Sequence, residues 1–464
     1  MENSKKTVIQ GCLAVFGGVL LHLTFGYFYT ISNMIPYIMD YLRTYVDSSI
    51  SDKDAIWLSA LGFCMQGLAM PAGGLVAKKL GFRLVVATSC IFLSGSVFST
   101  YFTIQKTFVG VIITYSVLMG IGMGFAYSVV LAVATTWFPE RRGLIVGFIV
   151  SGFGLGALVF APIQTALINP SNIKVNNVTR HFTDRELLDR LPTALLILGG
   201  ILSGIQIVGF ILLRPRPTSK QTSVNQKAQI SNEVNVSPKQ LFRCIDFYLL
   251  WLVMFFNIIP ITTITSTYKQ FGQTYISDDR FLSAIVTVSS LFNCGGRIMW
   301  GSVADRLSFK IPLCVKLAVW SVVLITFPHL ALLSEFAMKI CFPIWVFALF
   351  TLFCGTLVLI PNATGTVFGP VNLAVNYGLI FIAFSFGSFT CALFTTFVTA
   401  EGAYIFQYTS CGIVCLVSLF ITLWIEDRKT PEKCKLSGCF VRSCAKLRVK
   451  QPYYSPHELE ALRS

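Results

Sequence analysis

Long apolar runs separated by short polar segments fill most of the chain. Twelve runs reach the roughly 20 residues that an α-helix needs to cross the hydrocarbon core of a membrane. They lie at 9–34, 55–77, 84–104, 107–136, 143–168, 193–213, 247–268, 281–303, 311–333, 338–360, 375–399 and 402–425. The pattern predicts an all-α membrane protein with twelve transmembrane helices.

One polar interruption is much longer than the others and divides the helices into two sets of six. It contains prolines and serines without apolar periodicity, which is typical of a flexible linker. We predict an N-terminal six-helix half at 1–213, a cytoplasmic linker at 214–245, a C-terminal six-helix half at 246–425 and a basic cytoplasmic tail at 426–464.

Composition agrees with lipid as the solvent for most of the surface. The chain is 54% hydrophobic and 12% charged, whereas soluble domains carry about 25% charged residues. The net charge of +15 suits the anionic inner leaflet of a membrane better than nucleic acid. Most of the 36 lysines and arginines fall on one side of the membrane if the N-terminus is cytoplasmic. We expect a monomer in the plasma membrane with both termini in the cytoplasm.

One charge, that of Arg297, interrupts the apolar run from 282 to 304. A helix rises ~1.5 Å per residue, so Arg297 lies roughly 12 Å from Asp305, close to the middle of a membrane-length helix. A guanidinium keeps its proton and is costly in hydrocarbon, so it must face protein or water. Its fork of donors matches the two oxygens of a carboxylate. We predict that Arg297 binds a small organic anion; pairing with backbone carbonyls or a neighbouring helix is the alternative.

A ten-residue segment occurs twice, after the second span of each half. Residues 74–83 and 301–310 are identical at half of their positions. Two six-helix halves that repeat in this way are typical of parallel-repeat transporters. The segment resembles the Gly-x-x-x-Asp-Arg-x-Gly-Arg-Arg loop of the major facilitator superfamily, which implies two pseudo-symmetric halves. The resemblance implies a cytoplasmic gate that contains Gly74, Lys79, Arg83, Gly301, Asp305 and Arg306.

The two copies of this loop differ at one position that matters for a gate. Lys78 stands where the superfamily has Asp, whereas the second copy keeps Asp305. A carboxylate at a helix end can accept hydrogen bonds from the N-terminus of a neighbouring helix and from arginines. We therefore expect the second copy to form the stronger latch.

Other motifs point to a narrower family. They are Trp137 to Gly143, the glycines Gly147, Gly152, Gly154 and Gly156, Phe247 to Trp251, Asn293 to Arg297 with Trp300 and Gly301, Phe368-Gly369, and Asn376 to Gly378. Together they resemble the oxalate/formate antiporter family, a relative of the monocarboxylate transporters. The resemblance extends over about residues 8–425.

In that family, oxalate is held in an aromatic cage with an arginine in helix eight and a lysine in helix eleven. The resemblance places the arginine at Arg297 and the lysine at Phe384, so the second cation is missing. A dianion in a dry cavity needs about two compensating charges and a monoanion about one. The expected substrates are therefore monocarboxylates such as lactate, pyruvate or formate.

The resemblance also assigns the cage. Its members would be Tyr29, Tyr127, Phe153, Phe353, Phe381 and Phe384. Phe28 replaces a glutamine and Leu357 a tyrosine, so the site is expected to be more apolar and to suit a carboxylate with a hydrocarbon tail. Asn293 lies one helical turn from Arg297 and is expected to orient the arginine or the ligand.

The mode of transport is open at this stage. The acidic residues lie at span ends rather than within spans, so a carboxylate proton relay is not expected. Exchange of one anion for another by alternating access is the simplest hypothesis. His22 is the candidate for a proton-linked group, and a proton-coupled symporter is the alternative.

A non-transporting sensor or receptor with a carrier fold is the second functional hypothesis. The spans contain no nucleophile–base set and no metal constellation, so we predict no enzyme activity, catalytic residue, metal or cofactor. Two modifications are open: glycosylation of Asn177 on the outer side, and lipidation of the tail cysteines Cys434, Cys439 and Cys444.

Overall fold

The structure is a computed structural model that describes residues 2–50, 52–171, 173, 182–216, 235–276, 279–397 and 404–427. Within these ranges all regular elements are helical and there is no strand, so the predicted all-α fold is confirmed. The glycosylation candidate Asn177 and the three tail cysteines lie outside the described residues.

In the N-terminal part of the chain, the described residues form eight α-helices and four shorter 3₁₀ or π-helical segments. A 3₁₀ segment at Gly26–Thr30 joins the first two helices, and a π-helical segment at Ile112–Leu118 joins the fifth and sixth. The helices are α1 (Glu2–Phe25), α2 (Ile31–Tyr45), α3 (Ile56–Leu80), α4 (Phe82–Thr103), α5 (Phe108–Val111), α6 (Met119–Thr135), α7 (Arg142–Ile168) and α8 (Arg185–Leu212). The first membrane helix thus continues to Tyr45, well beyond the predicted end at 34.

The described residues of the C-terminal part also form eight α-helices, together with a 3₁₀ segment at Phe327–Leu332. They are α9 (Pro238–Leu241), α10 (Ile245–Tyr275), α11 (Asp279–Leu307), α12 (Lys310–Thr326), α13 (Glu335–Phe353), α14 (Thr356–Phe368), α15 (Leu373–Phe397) and α16 (Tyr404–Trp424). The predicted tenth span is interrupted, because α13 and α14 are separate helices that meet at Cys354 and Gly355.

Eleven helices of the described residues are long and apolar enough to cross a membrane. They correspond to eleven of the twelve predicted spans. The remaining span, 281–303, is helical as part of α11 but is less apolar than the others, because it contains Arg297 among serines, threonines and glycines. The helix α11, which carries Arg297, is therefore the least suited of the predicted spans to face lipid on all sides.

The chain forms two compact units. The first comprises 1–133 and 151–214, and the second comprises 134–150 and 215–464. The division differs from the predicted halves in one segment, 134–150, which belongs to the second unit. This segment contains the first turns of α7, which are hydrogen-bonded to Asp305 of α11.

The contact between α7 and α11 is a carboxylate cap. Asp305 accepts hydrogen bonds from the N–H groups of Gly143 at 2.7 Å and Leu144 at 2.8 Å. These N–H groups lie in the first turn of α7, where no intrahelical acceptor exists and where the helix dipole favours negative charge. The helices touch closely, since an ideal Cβ on Gly301 would lie 2.2 Å from the carbonyl oxygen of Gly143.

The two copies of the repeated segment share an unusual backbone conformation. Gly81 has φ +89°, and the corresponding residue of the second copy, Ser308, has φ +61°. Both residues lie in the turn between two membrane helices, and both have a positive φ there. The repeat seen in the sequence is thus a repeat of local structure, and Ser308 tolerates a conformation that usually favours glycine.

The start of α12 and the end of α16 cap each other. The Lys310 ammonium donates to the carbonyl oxygens of Leu423 and Ile425, both at 2.8 Å. Asp427 in turn accepts hydrogen bonds from the Ser308 hydroxyl at 2.8 Å and from the Lys310 N–H at 3.3 Å. A cation at a helix C-terminus and an anion at a helix N-terminus are both favourable.

The end of the predicted linker is ordered. Ser237 caps the short helix α9 through a capping box with Gln240. Val236 donates its N–H to the carbonyl oxygen of Phe368 at 2.9 Å, and its own carbonyl accepts from Asn376 at 3.1 Å. These hydrogen bonds attach the last part of the predicted linker, from residue 235 onward, to α14 and α15.

Substitution of Gly26 is expected to destabilise the first unit. An ideal Cβ there would lie 2.2 Å from the carbonyl oxygen of Phe153 and 3.0 Å from the Cα of Gly156. Gly26→Ala is expected to lower the free energy of unfolding by about 1–3 kcal/mol through overpacking. Gly95, in α4, has nothing within 4 Å of its ideal Cβ, so Gly95→Ala is expected to raise stability by up to about 1 kcal/mol. Thermal unfolding in detergent measures the stability of both variants. Equal shifts of the unfolding temperature would contradict the close approach of the backbone to Gly26.

Removal of the Asp305 carboxylate is expected to weaken the start of α7. Asp305→Ala leaves two N–H groups without their acceptor, at a cost of about 1–2 kcal/mol. Glu335→Ala is the matched control, because Glu335 is 59% exposed and pairs only with Lys339 one turn away; surface pairs contribute ~0–1 kcal/mol. Hydrogen exchange at Gly143 and Leu144 reports the effect, and unchanged exchange in Asp305→Ala would show that the cap is not formed.

Candidate functional site

Arg297 lies on α11 and is 1% exposed. Its Nε donates to the Asn293 Oδ1 at 2.8 Å, and its Nη1 donates to the Val150 carbonyl oxygen on α7 at 2.7 Å. The structure thus brings Asn293 and Arg297 together one turn apart, and it also contains a backbone-carbonyl contact of the kind raised as the alternative. Both of these acceptors are neutral, and they fix the orientation of the guanidinium.

Four aromatic rings and one imidazole of the first unit form a continuous set, here called the aromatic cluster: His22, Tyr29, Phe63, Tyr127 and Phe153. Neighbouring ring centroids are 4.7 Å apart for His22 and Tyr127, 5.6 Å for Tyr127 and Phe153, 4.8 Å for Phe153 and Tyr29, and 5.8 Å for Tyr29 and Phe63. The structure therefore places His22, the candidate for a proton-linked group, beside Tyr29, Tyr127 and Phe153, which were predicted as members of the cage.

The 3₁₀ segment at Gly26–Thr30 explains how Tyr29 joins this cluster. It changes the direction of successive side chains between α1 and α2, so Tyr29 reaches Phe153 while Phe28 packs edge-on against Phe63 at 5.0 Å. His22 is fully buried, and its Nδ1 lies 3.2 Å from the Gly18 carbonyl oxygen. If Nδ1 bears the hydrogen of the neutral imidazole, that carbonyl accepts it.

The aromatic residues predicted for the C-terminal half are all buried in the second unit. Phe381 and Phe384 stack on α15 with centroids 4.8 Å apart and planes at 9°. Phe353 ends α13 and packs edge-on against Phe350 at 5.1 Å. The position at which the resemblance would place a lysine is therefore occupied by a stacked, buried phenyl ring. It offers apolar surface and no charge.

The two loop copies predicted to form a gate differ in their surroundings. In the first copy Gly74 is buried, whereas the side chains of Lys79 and Arg83 are exposed. In the second copy, Asp305 caps α7 and Gly301 touches it, and Arg306 lines a cavity of about 140 Å³ beside the cap. Burial raises the pKa of the Asp305 carboxyl, although the two N–H groups and Arg141 act in the opposite direction.

A second buried cation, Lys316, was not among the predicted site residues. Lys316 on α12 has no exposed surface. Its ammonium donates to the Asn257 Oδ1 at 2.8 Å and to the Thr356 hydroxyl. The signal in the sequence was a single lysine within an apolar span, but nothing in the sequence tells which side of α12 faces other helices. In the described ranges, no group of three or more His, Cys, Asp or Glu residues is arranged to hold a metal ion.

Comparison with known proteins agrees with this architecture. Apicoplast pyruvate carrier 1 of Toxoplasma gondii is 25% identical over 456 residues, which cover 82% of each chain. The oxalate:formate antiporter of Oxalobacter formigenes is 26% identical over 393 residues, which cover 82% of this chain and 85% of the antiporter. Monocarboxylate transporter 12 of Xenopus laevis is 25% identical over 349 residues and 70% of each chain.

A solved structure and a family profile define the group to which the chain belongs. The structure of the proton:xylose symporter XylE has a TM-score of 0.69 to this chain at 12% identity, and the match covers 91% of this chain and 97% of the symporter. The likeness shows a shared fold. The profile of the Major Facilitator Superfamily matches residues 16–376. The chain therefore belongs to the Major Facilitator Superfamily, and its relatives include the oxalate:formate antiporter and the monocarboxylate transporters suggested by its motifs.

Proposed function

We propose that the protein is a secondary transporter of small monocarboxylates, similar to lactate, pyruvate or formate, that works by alternating access and exchanges one anion for another. It would lie in the plasma membrane with both termini in the cytoplasm. The relatives named as pyruvate carrier, oxalate:formate antiporter and monocarboxylate transporter support an organic acid as the substrate.

The observation that carries the proposal is the buried guanidinium of Arg297. It is 1% exposed and oriented by two neutral acceptors. A charge buried at such depth is expensive unless it has a function or a counter-charge. A carboxylate supplies the counter-charge on binding, so an anion-loaded carrier is closer to electrical neutrality than an empty one. That difference favours exchange over return of the empty carrier.

The choice of a monoanion with an apolar tail rests on the neighbouring residues. Phe384 offers a ring where the oxalate family has a cation, and Phe381 stacks on it. The aromatic cluster of the first unit supplies further apolar surface with hydroxyl groups on Tyr29 and Tyr127. We propose both sets as substrate contacts, with Asn293 as the residue that orients Arg297.

The cap that Asp305 places on α7 is proposed as the cytoplasmic latch. Its geometry, a carboxylate on two backbone N–H groups, is of a kind that can break and re-form, since both partners become solvated when the contact opens. Gly301 and Arg306 would belong to the same latch. Gly74, Lys79 and Arg83 would form the weaker copy, where Lys78 replaces the carboxylate.

A sensor or receptor with a carrier fold is the second candidate function. The observation that favours it is the first loop copy, in which Lys79 and Arg83 are exposed and Lys78 replaces the acidic residue. Such a protein would bind the carboxylate without moving it. Transport measurements separate the two candidates.

Arg297→Ala is expected to abolish counterflow. Proteoliposomes preloaded with lactate, pyruvate, formate or oxalate would be tested for uptake of labelled acid. The wild type is expected to exchange monocarboxylates in preference to oxalate, and the variant is expected to lose at least about 100-fold in rate, because a charge-assisted bidentate contact contributes ~3 kcal/mol or more.

Arg190→Ala is the matched control for that experiment. Arg190 lies on α8, is partly exposed and pairs with Glu186 one turn away, so its removal is expected to leave exchange unchanged. Normal exchange in Arg297→Ala would refute the anchor. Specific binding of a monocarboxylate without counterflow in the folded wild type would support the receptor instead.

His22→Gln is expected to retain counterflow. If exchange needs no proton, the buried imidazole serves packing in the aromatic cluster, and an amide of similar polarity replaces it with less than about a threefold change in rate. Counterflow and net uptake driven by low external pH are measured side by side. Wild-type protein that shows acid-driven net uptake but no counterflow, with the uptake lost in His22→Gln, would replace exchange by proton-coupled symport.

A further inference from the structure

The second buried cation, Lys316, has an environment made of neutral groups. Its ammonium donates to the Asn257 Oδ1 at 2.8 Å and to the Thr356 hydroxyl, and lies 4.1 Å from the centroid of the Trp320 ring. An ammonium has three donors, and two oxygens and a ring face are placed to receive them. No carboxylate of the described residues forms an ion pair with Lys316.

The oxygen that receives Lys316 is held in position from the other side. The Asn257 Nδ2 donates to the Val253 carbonyl oxygen and to the Ser418 hydroxyl, both at 2.7 Å. With its amide hydrogens engaged there, Asn257 must present its oxygen to Lys316. Asn257, Thr356 and Ser418 have no exposed surface. The site is therefore built for the lysine and draws on α10, α12, α14 and α16.

The interruption between α13 and α14 connects this site to the helix of Arg297. Gly355 donates its N–H to the Leu352 carbonyl oxygen at 3.2 Å, one residue short of the α-helical pattern. The Thr351 carbonyl oxygen receives the indole N–H of Trp300 instead, at 2.8 Å. Trp300 lies on α11, one turn from Arg297, and Thr356, which begins α14, holds Lys316.

Cys354 lies between the helix of Arg297 and the residue that binds Lys316. An ideal Cβ on Gly296, next to Arg297, would lie 2.6 Å from the Cys354 Sγ, and Thr356 follows Cys354 by two residues. Among the described residues, the thiols of Cys354 and of Cys415 on α16 are the titratable groups that interact with Lys316.

We propose that Lys316 is a specificity-determining residue whose charge state sets the charge of the anion that the carrier accepts. With Lys316 neutral, Arg297 is the cation of this region and a monoanion compensates it. With Lys316 protonated, the region holds two positive charges and a dianion such as oxalate is accepted as well. The lysine acts through the electric field and needs no contact with the substrate. The inference rests on the proposed function of Arg297 as the anion anchor.

The direction of the pH effect follows from the charge of the bound anion. A bound dianion favours the protonated form of Lys316, because an opposite charge nearby stabilises the ammonium. By linkage, each event then promotes the other: protonation increases dianion affinity, and dianion binding takes up a proton. Dianion exchange relative to monoanion exchange should therefore fall as pH rises.

The test measures oxalate and pyruvate counterflow in proteoliposomes at equal internal and external pH, from about pH 6 to about pH 9. Both acids stay fully ionised over this range, so a change in their ratio reports the protein. The wild-type ratio of oxalate to pyruvate rate is expected to fall about tenfold as pH rises. At an effective dielectric constant of ~20, two unit charges about 12 Å apart interact by roughly 1.4 kcal/mol, which corresponds to about a factor of ten.

Two variants, one neutral and one positively charged, separate the field of Lys316 from its packing. Lys316→Met is permanently neutral and is expected to fix the ratio at its high-pH value. Lys316→Arg is permanently charged and is expected to fix it at the low-pH value. Lys316→Gln, which keeps a donor toward Asn257, replaces Lys316→Met if the latter does not fold. Lys339→Gln, an exposed lysine paired with Glu335, is the control and is expected to titrate as the wild type does.

A second measurement uses purified wild type in detergent. Oxalate binding by calorimetry in buffers of different ionisation enthalpy is expected to show proton uptake that pyruvate binding lacks and that Lys316→Met loses. A wild-type ratio independent of pH, or Lys316→Met and Lys316→Arg with the same ratio, would overturn the inference. If Arg297→Ala has lost exchange, the proposed function stands even when the inference about Lys316 fails. Wild-type protein that exchanges neither acid would overturn both the inference and the proposed function.

Discussion

Burial of positive charge where water is scarce is the constraint that shapes the second unit. Arg297 and Lys316 are both almost completely removed from solvent. A guanidinium must remain charged, whereas an amine can release its proton. The surroundings of the two groups differ accordingly. Arg297 is oriented by an amide and a carbonyl oxygen, and Lys316 is enclosed by an amide, a hydroxyl and an indole ring.

These polar contacts also explain why the helices of this unit are irregular. A membrane helix satisfies its own backbone groups, so any break leaves groups that need partners. At Cys354 and Gly355 the break is satisfied from outside by Trp300, and the residue that resumes the helix, Thr356, meets Lys316. The irregular point of the backbone thus contacts Lys316 and the helix that carries Arg297.

Much of the fold was predictable from the sequence, because the length and number of apolar runs determine the number of membrane helices. The repeated loop was predictable too, and both copies contain a left-handed residue at the same place. The pairing of Asn293 with Arg297 follows from helical spacing alone. The assignment of 134–150 to the second unit was not predictable, since it depends on which helix N-terminus Asp305 meets. The polar contacts around Lys316 were not predictable either, because Asn257, Thr356 and Ser418 are far apart in sequence and no periodicity links them.

The reciprocal caps at Lys310 and Asp427 have a mechanical consequence. The chain leaves α16 at a fixed anchorage, because Asp427 is bound to the first turn of α12 and Lys310 is bound to the last turn of α16. Any tension applied to the chain beyond 427 is borne first by this junction. It is then transmitted along α12, the helix that carries Lys316. The exit of the chain is therefore a point of leverage on the most polar part of the helical interior.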